Sequence, residues 1–152
     1  MPTVICEKFV KAPPEVVFNT ARDVERYVIF MGNVESIKVL SDDGVVRITE
    51  WVVNVPVLGR RLRWLERDVW DSSLLSCSFE MVEGDMDSYS GEWRFERSED
   101  GTLMRLTISY EYDIPLVGQL LRKIIERLVE ANANSILDAV KNASEGIQSY
   151  AS

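Results

Sequence analysis

The final stretch of the chain constrains everything before it. From Pro115 to about Tyr150, apolar residues recur at Leu116, Val117, Leu120, Leu121, Ile124, Ile125, Leu128, Val129, Ala133, Ile136, Leu137, Val140 and Ile147. That three-and-four spacing predicts one continuous amphipathic helix. The opposite face carries Arg122, Lys123, Glu126, Arg127, Glu130, Asp138, Lys141 and Glu145, a solvated set. Pro115 stands at the N-terminal edge, where proline is tolerated. At 1.5 Å per residue the helix runs roughly 50 Å. A helix of this kind is not stable alone, so a broad apolar surface must lie beneath its stripe.

The preceding residues supply that surface as a run of hairpins. Thr3–Lys11 alternates as a first strand, broken by Ala12-Pro13-Pro14. A short helix follows with Val16, Val17, Phe18 and Ala21 apolar, then a second helical turn over Val24 to Phe30, ended by Gly32-Asn33. Six further strands follow: Val34–Leu40, Val45–Val55, Arg60–Asp71, Leu74–Val82, Ser88–Arg97 and Thr102–Ile114. Turns fall at Asp43-Gly44, Ser72-Ser73 and Asp100-Gly101, and loops at Pro56–Gly59 and Glu83–Asp87. No repeat, low-complexity segment or linker divides the chain, so residues 1–152 are expected to form a single domain.

Two-residue turns fix strand register. With Asp100-Gly101 at the corner, Phe95 falls opposite Leu106, Trp93 opposite Ile108, Gly91 opposite Tyr110 and Tyr89 opposite Tyr112. Ser72-Ser73 pairs Trp70 with Leu75, Asp68 with Cys77, Glu66 with Phe79 and Trp64 with Met81. Asp43-Gly44 pairs Val39 with Ile48 and Ile37 with Glu50. Alternation then gathers Trp64, Cys77, Phe79, Tyr89, Trp93, Tyr110 and Tyr112 on one face, and Ser76, Glu80, Glu92, Arg94 and Arg105 on the other. A curved antiparallel sheet wrapped around the terminal helix is the expected α+β arrangement.

Several stretches carry a likeness to a known group. They are Val34-Glu35-Ser36-Ile37-Lys38-Val39-Leu40, Gly91-Glu92-Trp93-Arg94-Phe95 and Tyr110-Glu111-Tyr112-Asp113-Ile114-Pro115-Leu116, together with Asp23-Val24-Glu25-Arg26-Tyr27 in the second short helix. The chain resembles the START-like (SRPBCC, helix-grip) superfamily, within it the polyketide cyclase/dehydrase and coenzyme Q-binding branch. The resemblance spans almost the whole chain and rests on structural motifs. It implies a seven-stranded curved sheet gripping a long C-terminal helix, with two short helices between strands 1 and 2. It also implies a deep cavity for hydrophobic or aromatic molecules.

Composition narrows the chemistry. The net charge is −8, which argues against a nucleic-acid partner or an anionic surface. The basic run Arg60, Arg61, Arg63 reads as the solvated side of a strand, or else as an anion site. No segment is apolar enough for a signal core or an integral membrane span. The two cysteines, Cys6 and Cys77, have no metal spacing, and a reduced cytoplasmic protein is expected. With no histidine in the chain, Ser-His-Asp triads, Cys-His pairs and most zinc sites are excluded. No metal or cofactor is expected, which leaves carboxylates, tyrosines, arginines and water.

Three acids fall on the inner face by this register: Glu50, Glu66 and Asp68. Carboxyl groups facing an apolar space have raised pKa values and suit general acid/base work. Alternatively they sit at the cavity mouth, pair with an arginine, or are turned outward by a bulge; a one-residue slip places Arg67 inside instead. Trp64, Cys77, Phe79, Tyr89, Trp93, Tyr110 and Tyr112 line the space, as core or as a ligand wall. The buried phenols need partners, and Gly91 leaves room for one. Cys77 lacks a base to activate it. Asn132, the polar residue in the helix stripe, either bonds a strand side chain or reaches a ligand.

Three functions follow. The first is a binding protein for a lipid, quinone or polyketide-like molecule, working as a monomer or homodimer. The second is a cyclase/aromatase-type enzyme in which Glu50, Glu66 or Asp68 and a tyrosine move protons during aldol closure and dehydration. The third is an interaction module whose contact patch is an outward strip of Trp51, Val53 and Leu65.

Overall fold

The structure, a computed structural model, describes residues 2–113 and 118–151. Pro115, Leu116 and Val117, expected at the helix start, lie outside the described residues, as does the side chain of Ile147. Strand β1 (Thr3–Val10) leads into α1 (Pro14–Ala21) and a 3-10 segment (Val24–Phe30). Then come β2 (Val34–Asp42), β3 (Val46–Val55), β4 (Arg60–Asp71), β5 (Ser76–Gly84), β6 (Ser88–Ser98), β7 (Gly101–Glu111) and the long α2 (Gln119–Ala151). The strands form one seven-stranded sheet in the order β1-β7-β6-β5-β4-β3-β2. Every neighbouring pair is antiparallel. The first two strands are thus the two edges, and α1 with the 3-10 segment carries the chain between them. This is the helix-grip architecture.

Local chemistry explains the corners. Pro14 opens α1 at a position where its missing N–H costs nothing. Val17, Phe18 and Ala21 then turn one face inward, and Phe18 meets Trp70 and Phe95 edge-on at 5.6 and 5.7 Å. Between β4 and β5 the carboxylate of Asp71 accepts the N–H groups of Ser73 and Leu74 at 3.0 and 3.1 Å. The connection runs over 72–75, with Leu75 left-handed at φ 50°. At the β6–β7 corner Ser98 faces Gly101, and Asp100 takes the left-handed conformation at φ 67°. Gly101 has another duty: a Cβ there would stand 2.2 Å from the carbonyl oxygen of Val10. That glycine answers to the close approach of β1.

Both corners therefore differ from the expected register by two residues. Trp93 faces Leu106 and Tyr89 faces Tyr110; Trp70 faces Cys77 and Asp68 faces Phe79. Because side chains alternate with period two, the inner face keeps its residues.

The β2–β3 hairpin departs by an odd number. Bulges interrupt β2 between Val34 and Ser36 and between Val39 and Ser41, so Ile37 faces Trp51 and Val39 faces Thr49. At its other end β3 joins β4 with Val55 opposite Arg60, and Trp51 lies opposite Trp64. The whole of β3 is turned over relative to the expectation. Arg47, Thr49, Trp51, Val53 and Val55 are buried, whereas Ile48 and Glu50 are only partly so. The outward strip of Trp51 and Val53 does not exist: both are inside, at 8% and 6% exposure. A contact patch built on them loses its basis.

The seating of α2 is uneven. Ala133, Leu137 and Val140 are fully buried. This half is also tied to β1. Lys8 pairs with Asp138, the Lys11 N–H donates to Glu145 at 2.9 Å, and the Lys141 ammonium donates to the Phe9 carbonyl at 3.2 Å. Toward the N-terminus the stripe loosens. Ile125, Leu128 and Val129 are half-buried, and Leu120 and Ile124 are 75% and 38% exposed. The first half of α2 overhangs the sheet more than it packs on it.

Candidate functional site

Beneath that overhang the inner face is not filled. A cavity of about 80 Å³ is walled by Trp51, Trp64, Tyr89 and Tyr110 from the sheet and by Ile125, Leu128 and Asn132 from α2. Its deep end adjoins a second void of about 30 Å³, enclosed by Tyr27, Trp70, Cys77, Phe79 and Trp93. Trp51, Tyr89, Ile108 and Ile136 border both spaces. The wall is strongly aromatic: Trp51 stacks on Trp64 at 5.7 Å, Tyr89 tilts against Trp64 at 5.1 Å, and Trp93 stacks on Phe95 at 5.6 Å.

The polar residues of the deep end stand on β4. Glu66 and Asp68 alternate inward with Trp64 and Trp70, and are 5% and 4% exposed. Glu66 Oε1 accepts the indole N–H of Trp64 at 3.0 Å. Asp68 Oδ2 accepts the Thr49 hydroxyl at 2.9 Å, and that hydroxyl oxygen in turn accepts the Trp51 indole N–H at 3.2 Å. Among the described residues no Lys or Arg lines either space. Burial, and then the charge of Asp68 beside it, pushes the Glu66 carboxyl well above its ordinary value. The pair thus favours a protonated Glu66, whose carboxyl is hydrogen-bonded to Asp68. Burial and the same two carboxyls raise the Tyr89 phenol, which stays protonated. Tyr27, at the floor, donates to the Ala21 carbonyl and is raised chiefly by burial.

The sequence-predicted residues divide among these places. Glu66 and Asp68 meet at the deep void, beside Cys77, Phe79 and Trp93. Trp64, Tyr110, Tyr112 and Asn132 line the larger space, and Tyr89 touches both. Glu50 is the exception: with β3 turned over, it sits on the outer face and pairs with Arg63 at 2.8 Å. Arg61 likewise pairs with Glu35 at 2.8 Å, so Arg61 and Arg63 of the basic run are partnered on the outer side. Arg67 is exposed, and no slip brings it inward. Gly91 lies opposite Ile108, and the room expected above it is taken, since a Cβ there would meet the Phe79 ring at 2.6 Å. Burial raises the Cys77 thiol, which rules it out as a ready nucleophile. Asn132 makes no side-chain hydrogen bond among the described residues.

Sequence reasoning missed Trp51 and Thr49, because the β2 bulges that turn β3 over leave no local signature. It also missed Tyr27, whose 3-10 placement at the floor depends on packing alone. Among the described residues no three His, Cys, Asp or Glu side chains gather as a metal site, and no helix is long and apolar enough to cross a membrane.

Comparison with known proteins follows the same outline. A family model described as polyketide cyclase/dehydrase and lipid transport matches residues 10–137. No curated protein matches the chain. Among solved structures, TTHA0849 from Thermus thermophilus is 36% identical with a TM-score of 0.87, over 96% of this chain and 99% of that one. The Zhui aromatase/cyclase from Streptomyces is 22% identical with a TM-score of 0.81, over 95% and 93% of the two chains. A START superfamily protein from Mycobacterium smegmatis is 14% identical with a TM-score of 0.72, over 95% and 98%. The last two likenesses are of fold alone.

Proposed function

The chain belongs to the polyketide cyclase/dehydrase and lipid transport family, and from that premise we propose that it binds a hydrophobic or aromatic small molecule of lipid, quinone or polyketide-like kind between the sheet and α2. The observation that carries this reading is the aromatic-walled space beneath the half-seated N-terminal half of α2. Well-packed interiors leave few voids larger than a water molecule, so an apolar void under a loosely held helix is a site kept open. At about 80 Å³ it is smaller than the roughly 300–1,000 Å³ of ordinary ligand pockets. Uptake therefore requires the segment carrying Ile125, Leu128 and Asn132 to lift. Tyr110, Tyr112 and Asn132 would meet the outer part of the ligand, and Trp64, Phe79, Tyr89 and Trp93 the inner part. Free Cys6 and Cys77 suit a reducing compartment such as the cytoplasm.

Native mass spectrometry of protein purified from its own cells tests the reading. An adduct of lipid or aromatic mass, lost on acid denaturation, is expected. A chain that stays at its bare mass after incubation with lipid and quinone extracts would sink it.

A second reading, a cyclase/aromatase-type enzyme, is favoured by one observation: an acid pair and a phenol, with buried Arg47 opposite Asp68, at the closed end of an apolar space. There Glu66 and Asp68 would move protons while the walls hold a poly-ketone chain folded, and holding alone supplies much of the rate. Glu50, on the outer face, has no part in it. Glu66→Gln and Asp68→Asn should each remove cyclised product; full turnover in both variants ends this reading.

A further inference from the structure

The deep void has a thin wall at the 3-10 segment, where Val24 and Tyr27 line it. The far side of Tyr27 borders a surface groove of about 260 Å³, formed by Phe30 and by Ala139, Asn142 and Ala143 of α2. One side chain therefore separates the void from the outside there. Tyr27 is 4% exposed, and its hydroxyl bonds to the Ala21 carbonyl, within the same α1 and 3-10 unit. Val24 separates the void from a polar cleft beside Arg22 and Arg47, but a β-branched side chain is stiff. The Tyr27 ring can swing outward, because the small Ala139 and Ala143 side chains leave room for it. The segment that carries it is seven residues of 3-10 helix without a side-chain cap. Runs beyond three or four residues are uncommon, and such stretches often mark a hinge.

Trp70 gives the void a polar demand. It is 3% exposed and lines the space, yet its indole N–H has no hydrogen-bond partner, a costly state for a buried donor. Glu66 and Asp68, bonded to each other, line the same space, and carboxyl oxygens have lone pairs to spare. A polar space needs roughly 10–15 Å³ to hold a water, and about 30 Å³ is present.

We propose that the deep void is a water site with its own entrance. One water accepts the Trp70 N–H, donates to the Glu66–Asp68 pair, and exchanges with solvent past Tyr27, the gate to the α2 groove. Opening breaks one hydrogen bond, from Tyr27 to Ala21, and leaves the sheet and the ties between α2 and β1 in place. Water and protons then reach the acid pair from behind while an apolar molecule closes the space under the first half of α2. The site stands whether or not such a molecule binds.

Hydrogen–deuterium exchange of the Trp70 indole, followed by NMR on the nitrogen-15-labelled full chain, tests this. The backbone amides of β4 serve as the internal measure of global opening. In the parent protein the indole should exchange well ahead of those amides and show a nuclear Overhauser cross-peak to water. Tyr27→Phe should speed indole exchange roughly tenfold relative to the amides, the factor one net hydrogen bond of about 1.4 kcal/mol gives. Ala143→Leu, which fills the groove the ring must enter, should slow it. Asn142→Trp covers the same groove from an exposed position and should slow it too, should the leucine variant not fold. Leu128→Phe, which narrows the larger cavity, should leave it unchanged. An indole that exchanges no faster than the β4 amides and has no cross-peak to water overturns the water site. Slowing by Leu128→Phe but by neither groove variant places the entrance under α2 and overturns the gate, as does an unchanged rate in Tyr27→Phe.

Discussion

Replacing Glu66 by glutamine should make the protein more stable, and increasingly so as pH rises. In the folded chain Glu66 is 5% exposed beside Asp68, and burial followed by that neighbouring charge raises its proton affinity above the ordinary value of 4.5. Below that value the carboxyl is protonated in both folded and unfolded chains, so its titration costs nothing. Above it the unfolded chain ionises while the folded chain still holds the proton, and stability falls by about 1.4 kcal/mol per pH unit. The fall levels off once pH passes the raised folded value. Glutamine does not titrate. Its carbonyl still accepts the Trp64 N–H, and its amide can donate to Asp68, so the packing is kept. The variant should therefore gain on the parent by about 1.4 kcal/mol for each unit across that window, or about 2–4 °C in midpoint per kcal/mol for a domain of this size. Thermal or urea melts of both proteins from about pH 5 to about pH 8 measure the difference. Asp42, Asp43, Asp71 and Glu145, whose hydrogen bonds lower their pKa values, act in the opposite sense at acid pH. They are common to both proteins and cancel. Parallel stability curves, with glutamine equal or worse by a constant amount, would refute the claim that Glu66 is a buried neutral acid.

Other perturbations read other parts of the structure. Trp51→Ala should cost about 3–5 kcal/mol in urea melts, the usual range for emptying a core tryptophan site; a loss within about 0.5 kcal/mol would return Trp51 to the surface and restore the unbulged register. Amide hydrogen exchange should be faster over 119–132 than over 133–146, since burial and the β1 ties hold only the later half, and a bound hydrophobic molecule should slow the first half; uniform exchange along α2 argues against a lifting segment. The Cys6 and Cys77 thiols, both raised by burial, should react slowly with a disulfide reagent in the native state and at once in urea; rapid native labelling of Cys77 would mean the deep void is open to solvent.

Much of the fold was legible in the residues because its signals are local. Alternation on β4 puts Trp64, Glu66, Asp68 and Trp70 on one side whatever strand lies next to it, so the acid pair was found from sequence. Errors of two residues at the β4–β5 and β6–β7 corners did no harm, since a slip of two returns each side chain to its own face. The β2–β3 hairpin was different. Bulges in β2 add single residues to the count, and one residue is enough to exchange Glu50 for Trp51. Nothing in Glu35 or Leu40 marks them as bulged, because a bulge is set by the curvature the sheet must take around α2.

The amino-acid order alone thus determined that a seven-stranded sheet would grip a long terminal helix, since period-two and period-3.6 patterns are properties of neighbours along the chain. Tertiary structure decided which face of β3 looks inward, that Phe79 occupies the room over Gly91, and that the Trp70 indole N–H at the closed end is left without a partner. It also decided that α2 is seated at one end and raised at the other. Those outcomes depend on how far apart two distant surfaces come to rest, and a distance between surfaces is written in no single segment.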